Sequence, residues 1–447
     1  MTTKTNNQQK PECTLFWFRR DLRLHDNAGL FEALKQSNSV IPLFIFDTEI
    51  LDKLPDREDK RVVFIHQTLS AIHSELLKIG SSLLVMHGSP LEVFQKLLEA
   101  YSVASVYANE DYEPDAIARD AQISDLLRAN GIAFRLLKDQ VIFEKSEIVK
   151  DDGSQFEIFT PYSKAWKHKF SQTNLETFPS GDLLHHFHKT NPLPFPSLSE
   201  IGFKYIETGI SAPYIDKNII QHYHETRNFP YLPGTSRVSV HLRFGTISIR
   251  ELVRVAAELN EQFLNELIWR EFFMMILYHH PRVTHESFKK KYDYIAWRNN
   301  EDEFHNWCMG ETGYPIVDAG MRELNETGFM HNRVRMIVAS FLTKHLLIDW
   351  RWGEAWFAAK LLDYELSSNN GNWQWSAGCG CDSAPYFRIF NPHEQLRKFD
   401  PEQIYTQKWV KNLHQPDYPA PIVEHTPARE RCLSTYKKAL DNFKNER

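Results

Sequence analysis

The stretch Thr14-Leu-Phe-Trp-Phe18 is an apolar run with three aromatic residues, and four similar runs follow it before residue 143. The segments between the runs, such as 61–77 and 114–128, carry apolar residues at helical spacing. Apolar strands that alternate with helices predict a parallel sheet covered by helices on both faces. The five predicted strands are Thr14–Phe18, Val40–Phe46, Ser82–His87, Ser105–Ala108 and Ala133–Leu137.

The pattern changes twice beyond this sheet. Residues 144–212 have no long period and contain proline clusters, which are typical of a connector. Further on, apolar residues recur at steps of three and four, which predicts helices over 261–279, 316–324, 333–347 and 354–361. We therefore predict a Rossmann-like α/β domain with a five-stranded parallel sheet (12–143), a connector (144–212) and a larger all-helical domain (213–447).

The composition excludes several classes of protein. The chain has 447 residues, so two domains are expected, and it contains no apolar run of the ~18 residues that a membrane helix needs. The first twelve residues are polar and lack the core of a secretory signal. Five widely spaced cysteines predict free thiols in a reducing cytoplasm, and the pair Cys379 and Cys381 suits neither a zinc nor an iron–sulfur site.

The net charge of −6 is not typical of a nucleic-acid-binding protein, so any such surface must be local. From Arg227 to Arg250 there are four arginines and no acid, which indicates either a solvated face or a place for phosphates. Nine of the eleven tryptophans lie between residues 269 and 409. They fit a large helical core, or a role in stacking or electron transfer.

Two motifs in the helical half could carry chemistry. Gly234-Thr-Ser-Arg-Val-Ser239 has the hydroxyls and the arginine that a phosphate needs, although a simple helix cap has the same pattern. In Glu266-Leu-Ile-Trp-Arg-Glu271, residues 266, 269 and 270 share one helix face. That face suits a pocket for a flat ligand, and the alternative is an exposed Glu266–Arg270 ion pair.

Two further motifs follow. In Met330-His-Asn-Arg-Val-Arg-Met336, residues 332 and 336 share a face that two arginines flank, and solvated arginines are the alternative. In the segment 363–375, the run Asn369-Asn-Gly-Asn372 is typical of a turn. Two indoles follow it directly, at Trp373 and Trp375.

In this order, the motifs resemble those of the photolyase–cryptochrome family, and the resemblance covers nearly the whole chain. Within the family it is most similar to class I photolyases of cyclobutane pyrimidine dimers. Glu266 and Trp269 match the pair that binds the dimer, and Asn332 and Met336 stand where (6-4) photolyases carry histidines. Additional matching stretches are Phe16-Trp-Phe-Arg-Arg-Asp-Leu-Arg-Leu-His-Asp-Asn27, Thr312-Gly-Tyr-Pro-Ile-Val-Asp-Ala-Gly-Met-Arg322 and Ala384-Pro-Tyr-Phe-Arg-Ile-Phe-Asn-Pro392.

The resemblance implies light-driven repair of these dimers by electron transfer from reduced FAD. Asn369 would face the central ring of the flavin, and Arg335 and Asp363 would form an ion pair beside it. The dimer would flip out of the duplex into the pocket. The residues matching the cofactor site are Tyr223, Thr235, Ser236, Arg237, Val238, Ser239, Glu266, Arg335, Asp363, Glu365 and Asn369.

The resemblance also implies roles at the substrate. Trp269 and Trp375 would clamp the dimer, and Glu266 and Asn332 would hydrogen-bond it, with Met336 completing the catalytic set. Arg270 would join them at the DNA site, and phosphate contacts would come from Arg227, Arg333, Arg388 and Arg397. Electrons would reach oxidised FAD through the tryptophans Trp297, Trp350 and Trp373.

The expected partner is UV-damaged DNA, and the chain is expected to act as a monomer. An antenna chromophore, 5,10-methenyltetrahydrofolate, would lie between the domains near Asn109 and Glu110. Three alternatives remain open at this point: a cryptochrome photoreceptor without repair activity, a (6-4) photolyase, and a flavin electron carrier that binds no DNA.

Overall fold

The computed structural model of the chain describes residues 12–445. They form two compact units, which we call the sheet unit and the helical unit. The sheet unit comprises the described residues up to 144 together with 174–214 and 241–252, and the helical unit comprises 145–173, 215–240 and the described residues from 253 onward. The predicted connector is thus divided between the two units. The domain bounds inferred from the sequence stay a prediction.

The sheet unit contains one five-stranded sheet whose strands are all parallel, in the order β3-β2-β1-β4-β5. All eight residues of the second strand are buried, as expected where helices cover both faces. The predicted α/β fold class is therefore confirmed. The strands are β1 (Glu12–Phe18), β2 (Val40–Asp47), β3 (Leu84–Gly88), β4 (Ser102–Asn109) and β5 (Ala133–Leu137).

Nineteen α-helices occur within residues 12–445, and polar caps open many of them. The first nine are α1 (Ala28–Gln36), α2 (Thr48–Leu51), α3 (Lys60–Lys78), α4 (Pro90–Ala100), α5 (Pro114–Ala129), α6 (Phe159–Gln172), α7 (Lys217–Gln221), α8 (Tyr223–Thr226) and α9 (Ser239–Phe244). The others are α10 (Ile249–Leu259), α11 (Glu261–His279), α12 (Glu301–Met309), α13 (Pro315–Thr327), α14 (Asn332–Ser340), α15 (Trp350–Lys360), α16 (Leu366–Ala377), α17 (Pro392–Phe399), α18 (Ile404–Trp409) and α19 (His425–Asn445).

Three short 3₁₀-helices and one π-helix complete the described secondary structure. The π-helix follows α14 directly, so the helix predicted over 333–347 changes its hydrogen-bond pattern at Phe341. These segments are Ser180–His186, Pro281–Thr284, Lys290–Tyr292 and the π-helix Phe341–Leu346.

Two local expectations are wrong. The interval 144–212 contains α6, a regular helix of 14 residues. The asparagine-rich run 369–372 lies inside α16 and is not a turn. Gly371 explains the second case, because a Cβ there would come within 2.2 Å of the Phe273 ring. The glycine serves close packing of α16 against α11 rather than a change of chain direction.

The core of the helical unit is rich in aromatic side chains. Trp307, Trp350 and Trp373 are buried in one cluster with aliphatic residues from several helices. Trp373 needs Gly353 as its neighbour, since a Cβ at that position would lie 2.1 Å from the indole. No helix within residues 12–445 is long and apolar enough to cross a membrane.

Candidate functional site

Helix α11 places Glu266, Trp269 and Arg270 on neighbouring turns, and the Asn260 side chain caps its start. The structure does not pair Glu266 with Arg270. Glu266 accepts a hydrogen bond from Arg227, and Arg270 donates to Glu365 over 3.4 Å. Both partners come from other segments, so the polar residues of α11 join distant parts of the helical unit and do not form an exposed pair on one helix.

The Glu266 carboxylate lies in a small polar cluster with a cation beside it. Its Oε1 accepts from Arg227 and, over 3.0 Å, from Gln262. The Arg227 guanidinium also lies 5.5 Å from the ring centroid of Tyr223. Burial raises the pKa of the Tyr223 hydroxyl, Glu266 adds to the rise and Arg227 opposes it. Tyr223, Arg227 and Glu266 are therefore immediate neighbours.

The start of α14 lies against the same cluster. Arg333 donates to Asn228 Oδ1 over 2.5 Å, and its other terminal nitrogen lies 3.6 Å from the Met336 sulfur. Burial lowers the pKa of Arg333, and the positive charge of Arg227 lowers it further. Asn332 is exposed at the first position of the helix. Arg333 of α14 and Glu266 of α11 are thus linked through the adjacent residues 227 and 228.

Arg335 and Asp363 form the ion pair that the sequence predicted. Arg335 donates to Asp363 Oδ2 over 2.9 Å, and its Nε donates to the Met330 carbonyl over 2.7 Å. The Asp363 side chain is only 5% exposed, and its Oδ1 is buried without a hydrogen-bond partner. A buried carboxylate oxygen has a strong demand for a donor, so this atom marks a place where a ligand hydroxyl fits.

Two more predicted cofactor residues stand at the start of α16. Glu365 precedes the helix and accepts from Ser368 over 2.9 Å, while the buried Asn369 donates to the Glu354 carbonyl over 3.0 Å. Burial raises the pKa of Glu354 to about 7, although a hydrogen bond from Asn370 opposes the rise. The Asn369 amide is therefore held in one orientation by α15.

The segment 234–239 lies near Arg335, because Arg237 and Arg335 both contact the ring of Phe329. Arg237 has a left-handed backbone with φ of 53°, and its guanidinium lies 4.5 Å from the Phe329 centroid. Arg335 lies 5.7 Å from the same ring. Val238 is buried, Thr235 and Ser236 are half-buried, and Ser239 opens α9. Two predicted phosphate or flavin contacts, Arg237 and Arg335, thus share one neighbour.

The sequence did not single out His331, which caps α14. Its Nδ1 accepts the backbone N–H of Arg333 over 3.2 Å, so a neutral ring carries its proton on Nε2. That Nε2 is buried without a partner. Burial lowers the pKa of His331 to about 4, and Arg335 is the largest of the cationic causes. The only signal was its place inside the motif 330–336.

The three tryptophans of the predicted electron path are deep in the helical unit or beside its core. Trp350 and Trp373 are buried, and the partly buried Trp297 lies 6.0 Å from the Tyr436 ring. Trp373 also contacts Trp307, with centroids 6.1 Å apart. These positions suit core packing as well as electron transfer, so the path stays a prediction.

The two predicted stacking residues, Trp269 and Trp375, are both half-buried. Trp269 has a partner that the sequence did not indicate: the ring of Phe159, the first residue of α6, lies parallel to it. The centroids are 3.7 Å apart and the planes differ by 6°. No periodicity was detected around Phe159, so its contact with α11 required the structure.

At the carboxyl edge of the sheet, Asn109 is fully engaged within the sheet unit. Its amide donates to Asp21 over 2.5 Å and to Asn27 over 2.8 Å, and its carbonyl accepts from Gly29. The side chain is therefore committed to the fold and has no spare donor for an antenna chromophore. Glu110 is half-buried next to it.

The five cysteines are free thiols, and burial raises the pKa of each, to about 12 for Cys379 and Cys381. Over the part of the chain that the structure describes, no group of three or more potential ligands is arranged to hold a metal ion.

Two family profiles match the chain. Residues 14–181 match the family described as DNA photolyase, and residues 263–417 match the FAD binding domain of DNA photolyase. Among curated relatives, the deoxyribodipyrimidine photo-lyases of Halobacterium salinarum and Escherichia coli are each 35% identical. Each match covers 95% of this chain, with 99% and 98% of the respective relatives.

Solved structures give the same result. A class III photolyase from Agrobacterium tumefaciens has a TM-score of 0.84 and 32% identity, and the match covers 98% of this chain and 99% of that one. An archaeal photolyase from Sulfolobus tokodaii, solved with two FAD molecules, has a TM-score of 0.82 and 36% identity over 96% of this chain and 100% of its own.

Proposed function

The chain belongs to the DNA photolyase family, and we propose that it repairs cyclobutane pyrimidine dimers in DNA by light-driven electron transfer from reduced FAD. The observation that carries the proposal is the bridge that residues 227 and 228 make between α11 and α14. Arg227 donates to Glu266, one helical turn before Trp269, and Asn228 accepts from Arg333. An acid, two cations and a stacking indole are what a flipped, uncharged pyrimidine dimer with a nearby phosphate requires.

The residues around the Arg335–Asp363 pair suit FAD. Asp363 Oδ1, Ser367 Oγ and His331 Nε2 are buried without partners, so acceptors and donors are available for ribose hydroxyls and ring edges. When bound there, reduced FAD would be the source of the light-driven, reversible one-electron reduction of the dimer. The residues that we propose to hold it are Tyr223, Thr235, Ser236, Arg237, Val238, Ser239, Glu266, Arg335, Asp363, Glu365 and Asn369.

The residues of the chain would act on the dimer through charge and position. A bare carboxylate at Glu266 would repel negative charge that develops on the pyrimidine carbonyls. The hydrogen bonds from Arg227 and Gln262 place positive charge and a neutral donor on that carboxylate, which weakens the repulsion. Its other oxygen can then accept a pyrimidine N–H, while the exposed Asn332 offers a donor to a carbonyl.

The experiment that tests the proposal is repair of a thymine cyclobutane dimer in a short oligonucleotide by purified, reduced protein, under blue light and in darkness. Repair in light alone is the expected result. A protein that holds FAD and binds the dimer but does not repair it would favour the cryptochrome alternative. Repair of the (6-4) lesion alone would overturn the choice of substrate.

The role of Glu266 has its own test. We expect Glu266→Ala to lower the quantum yield of repair measured on fully bound dimer, because the dimer loses a hydrogen-bond acceptor. Glu266→Gln keeps one acceptor and should retain more of the yield. An unchanged quantum yield in Glu266→Ala would contradict this role of Glu266, but it would not contradict the proposed repair activity.

For the antenna we retain 5,10-methenyltetrahydrofolate, with contacts other than the Asn109 side chain, which the fold already uses. The Sulfolobus tokodaii photolyase was solved with two FAD molecules, so a second flavin is the competing chromophore. Mass spectrometry of the small molecules released from the protein distinguishes folate from a flavin in excess of one per chain. We further propose that the protein acts as a cytoplasmic monomer, which light scattering and cell fractionation would test.

A further inference from the structure

Phe159 covers one face of the Trp269 indole. The ring centroids lie 3.7 Å apart and the planes are within 6° of parallel, so the two rings stack face to face. Phe272 contacts Trp269 edge-on, with centroids 5.6 Å apart, and Phe273 lies at a tilt. Trp269 nevertheless keeps part of its surface open to solvent. The indole is therefore backed on one side and accessible elsewhere.

The backing ring belongs to a helix that is docked firmly on α11. Phe159, Tyr162 and Trp166 lie at i, i+3 and i+7 of α6 and so share one face. Tyr162 packs on Phe272, with centroids 5.1 Å apart, and the buried Trp166 donates to Glu271 over 2.7 Å. These contacts fix α6 against the turn of α11 that carries Trp269.

The backbone of Phe159 is anchored as well. Its N–H donates to Asp382 Oδ2 over 2.9 Å, which places a carboxylate at the first turn of α6. A negative charge there is favourable because the first N–H groups of a helix lack partners within it. Phe159 is thus held by its backbone at one end and by its helix face at the other.

We propose that Phe159 is the positioning residue for Trp269: it fixes the plane of the indole so that the part of the ring that solvent reaches is ready to stack on a base of the pyrimidine dimer. The proposal rests on the stacking role of Trp269 within the function proposed above. A half-buried tryptophan loses rotamer freedom when a base stacks on it, which costs binding free energy. Fixing the ring in advance removes that cost without a contact between Phe159 and the DNA.

The test measures affinity for a dimer-containing oligonucleotide and for the same oligonucleotide without damage. We expect Phe159→Ala to weaken binding of the damaged strand by about 3- to 10-fold, the usual contribution of an aromatic pair. Affinity for undamaged DNA should not change, because phosphate contacts dominate it. Phe159→Tyr keeps the ring and should bind the damaged strand as tightly as the unaltered protein. Phe159→Leu fills the space without a flat face, so it should weaken binding as Phe159→Ala does.

Phe170 provides a matched control in the same helix. It stacks on Trp166, with centroids 5.0 Å apart, at the far end of α6 from Trp269. Phe170→Ala should therefore leave the preference for damaged over undamaged DNA unchanged. If it lowers that preference as much as Phe159→Ala does, the effect belongs to the general stability of α6 and the proposal is overturned.

A double-mutant cycle with Trp269→Ala separates the two levels of the argument. If Phe159 acts through the indole, Phe159→Ala should add no further loss in the Trp269→Ala protein. Full dimer affinity in Trp269→Ala would overturn the stacking role itself. A loss in Trp269→Ala with none in Phe159→Ala or Phe159→Leu would overturn the positioning role alone and leave the proposed function standing.

Discussion

Two arginine–aspartate networks, one in each unit, are built from the same residue types but are completed to different degrees. In the sheet unit, Asp139 accepts from Arg23 and from Arg250 over 2.8 Å and from the backbone of Ala28 over 3.1 Å. In the helical unit, Asp363 accepts from Arg335 at one oxygen, while the other is buried without a partner.

We call the network around Asp139 closed, because both carboxylate oxygens accept hydrogen bonds, and the network around Asp363 open, because one oxygen has no partner. Burial alone would raise the pKa of Asp139, yet Arg23 and Arg250 more than offset it and hold that pKa below its usual range. Both oxygens are in use, so nothing remains for a ligand. A half-satisfied buried carboxylate is costly unless a further donor arrives. We therefore expect completeness of hydrogen bonding, more than residue type, to separate structural charges from ligand-binding ones.

The largest effect on stability is expected when the closed network is removed. Asp139→Ala leaves two buried arginines without their shared carboxylate, which should cost about 3–5 kcal/mol of stability. Urea unfolding followed by a probe in the sheet unit would measure it. As a control, Asp125→Ala removes an acid that pairs with Arg128 at the surface, where the two side chains are 69% and 78% exposed, respectively. Its effect on stability should be below about 0.5 kcal/mol. A loss under 1 kcal/mol in Asp139→Ala would show that the network is not a structural support.

For the open network we expect the substitution to change cofactor affinity and not stability. Asp363→Asn keeps the volume and frees Arg335, which is 24% exposed and can be hydrated, so the stability of the FAD-free protein should change little. FAD affinity should fall by roughly 10- to 100-fold, the effect of one charge-assisted hydrogen bond. Titration of FAD into stripped protein, followed by flavin fluorescence, measures the change.

A matched substitution in a pair that is remote from this site is available for that experiment. Glu303→Gln alters the Arg298–Glu303 pair, which is 2.8 Å long, and should leave FAD affinity unchanged. If Asp363→Asn binds FAD as tightly as the unaltered protein, the unpaired oxygen has no role in cofactor binding. The contrast between open and closed networks would then have no functional meaning.

The sequence predicted the parts of the molecule that depend on local pattern. The strands of the sheet, the extent of α11 and the Arg335–Asp363 pair all follow from periodicity or from the family motifs, and the structure agrees. These features need only neighbours in the chain, or residue identities that the family motifs contain.

The features that were missed depend on contacts between distant segments. Phe159 meets Trp269 across 110 positions of the chain, and Gly371 is inside a helix because Phe273 leaves no room for a side chain. The occupied side chain of Asn109 is another such case, since its partners lie on the loop after β1 and at the start of α1. Neither spacing nor composition carries that information.

His331 offers a sharper test of the open site through pH. Its pKa is lowered from 6.5 to about 4 in the folded protein, so the unfolded chain binds the proton more readily between those values. Stability is therefore full above about pH 6.5 and decreases as pH falls toward 4. His331→Asn keeps a helix cap but does not titrate, so the unaltered protein should lose on the order of 1–2 kcal/mol more than the variant between pH 7 and 5. If the unaltered protein and His331→Asn lose the same unfolding free energy between pH 7 and pH 5, His331 is not a neutral, buried residue.

The smallest expected effect concerns Arg333, which has one side on Asn228 and the other on the ring of Phe399, 4.5 Å from its centroid. If Arg333 in this position contacts one DNA phosphate, Arg333→Ala should weaken the binding of damaged and undamaged DNA alike, by about 1 kcal/mol. The slope of log affinity against log salt should become shallower by about 0.7–0.9. Arg298→Ala, in the pair with Glu303, is the control for removal of a charge elsewhere on the helical unit. Fluorescence anisotropy at several salt concentrations gives both quantities. An unchanged slope with weaker dimer binding would mean that Arg333 acts on the base through Met336 or Asn332, which would place it among the residues of the pocket and not of the phosphate rim.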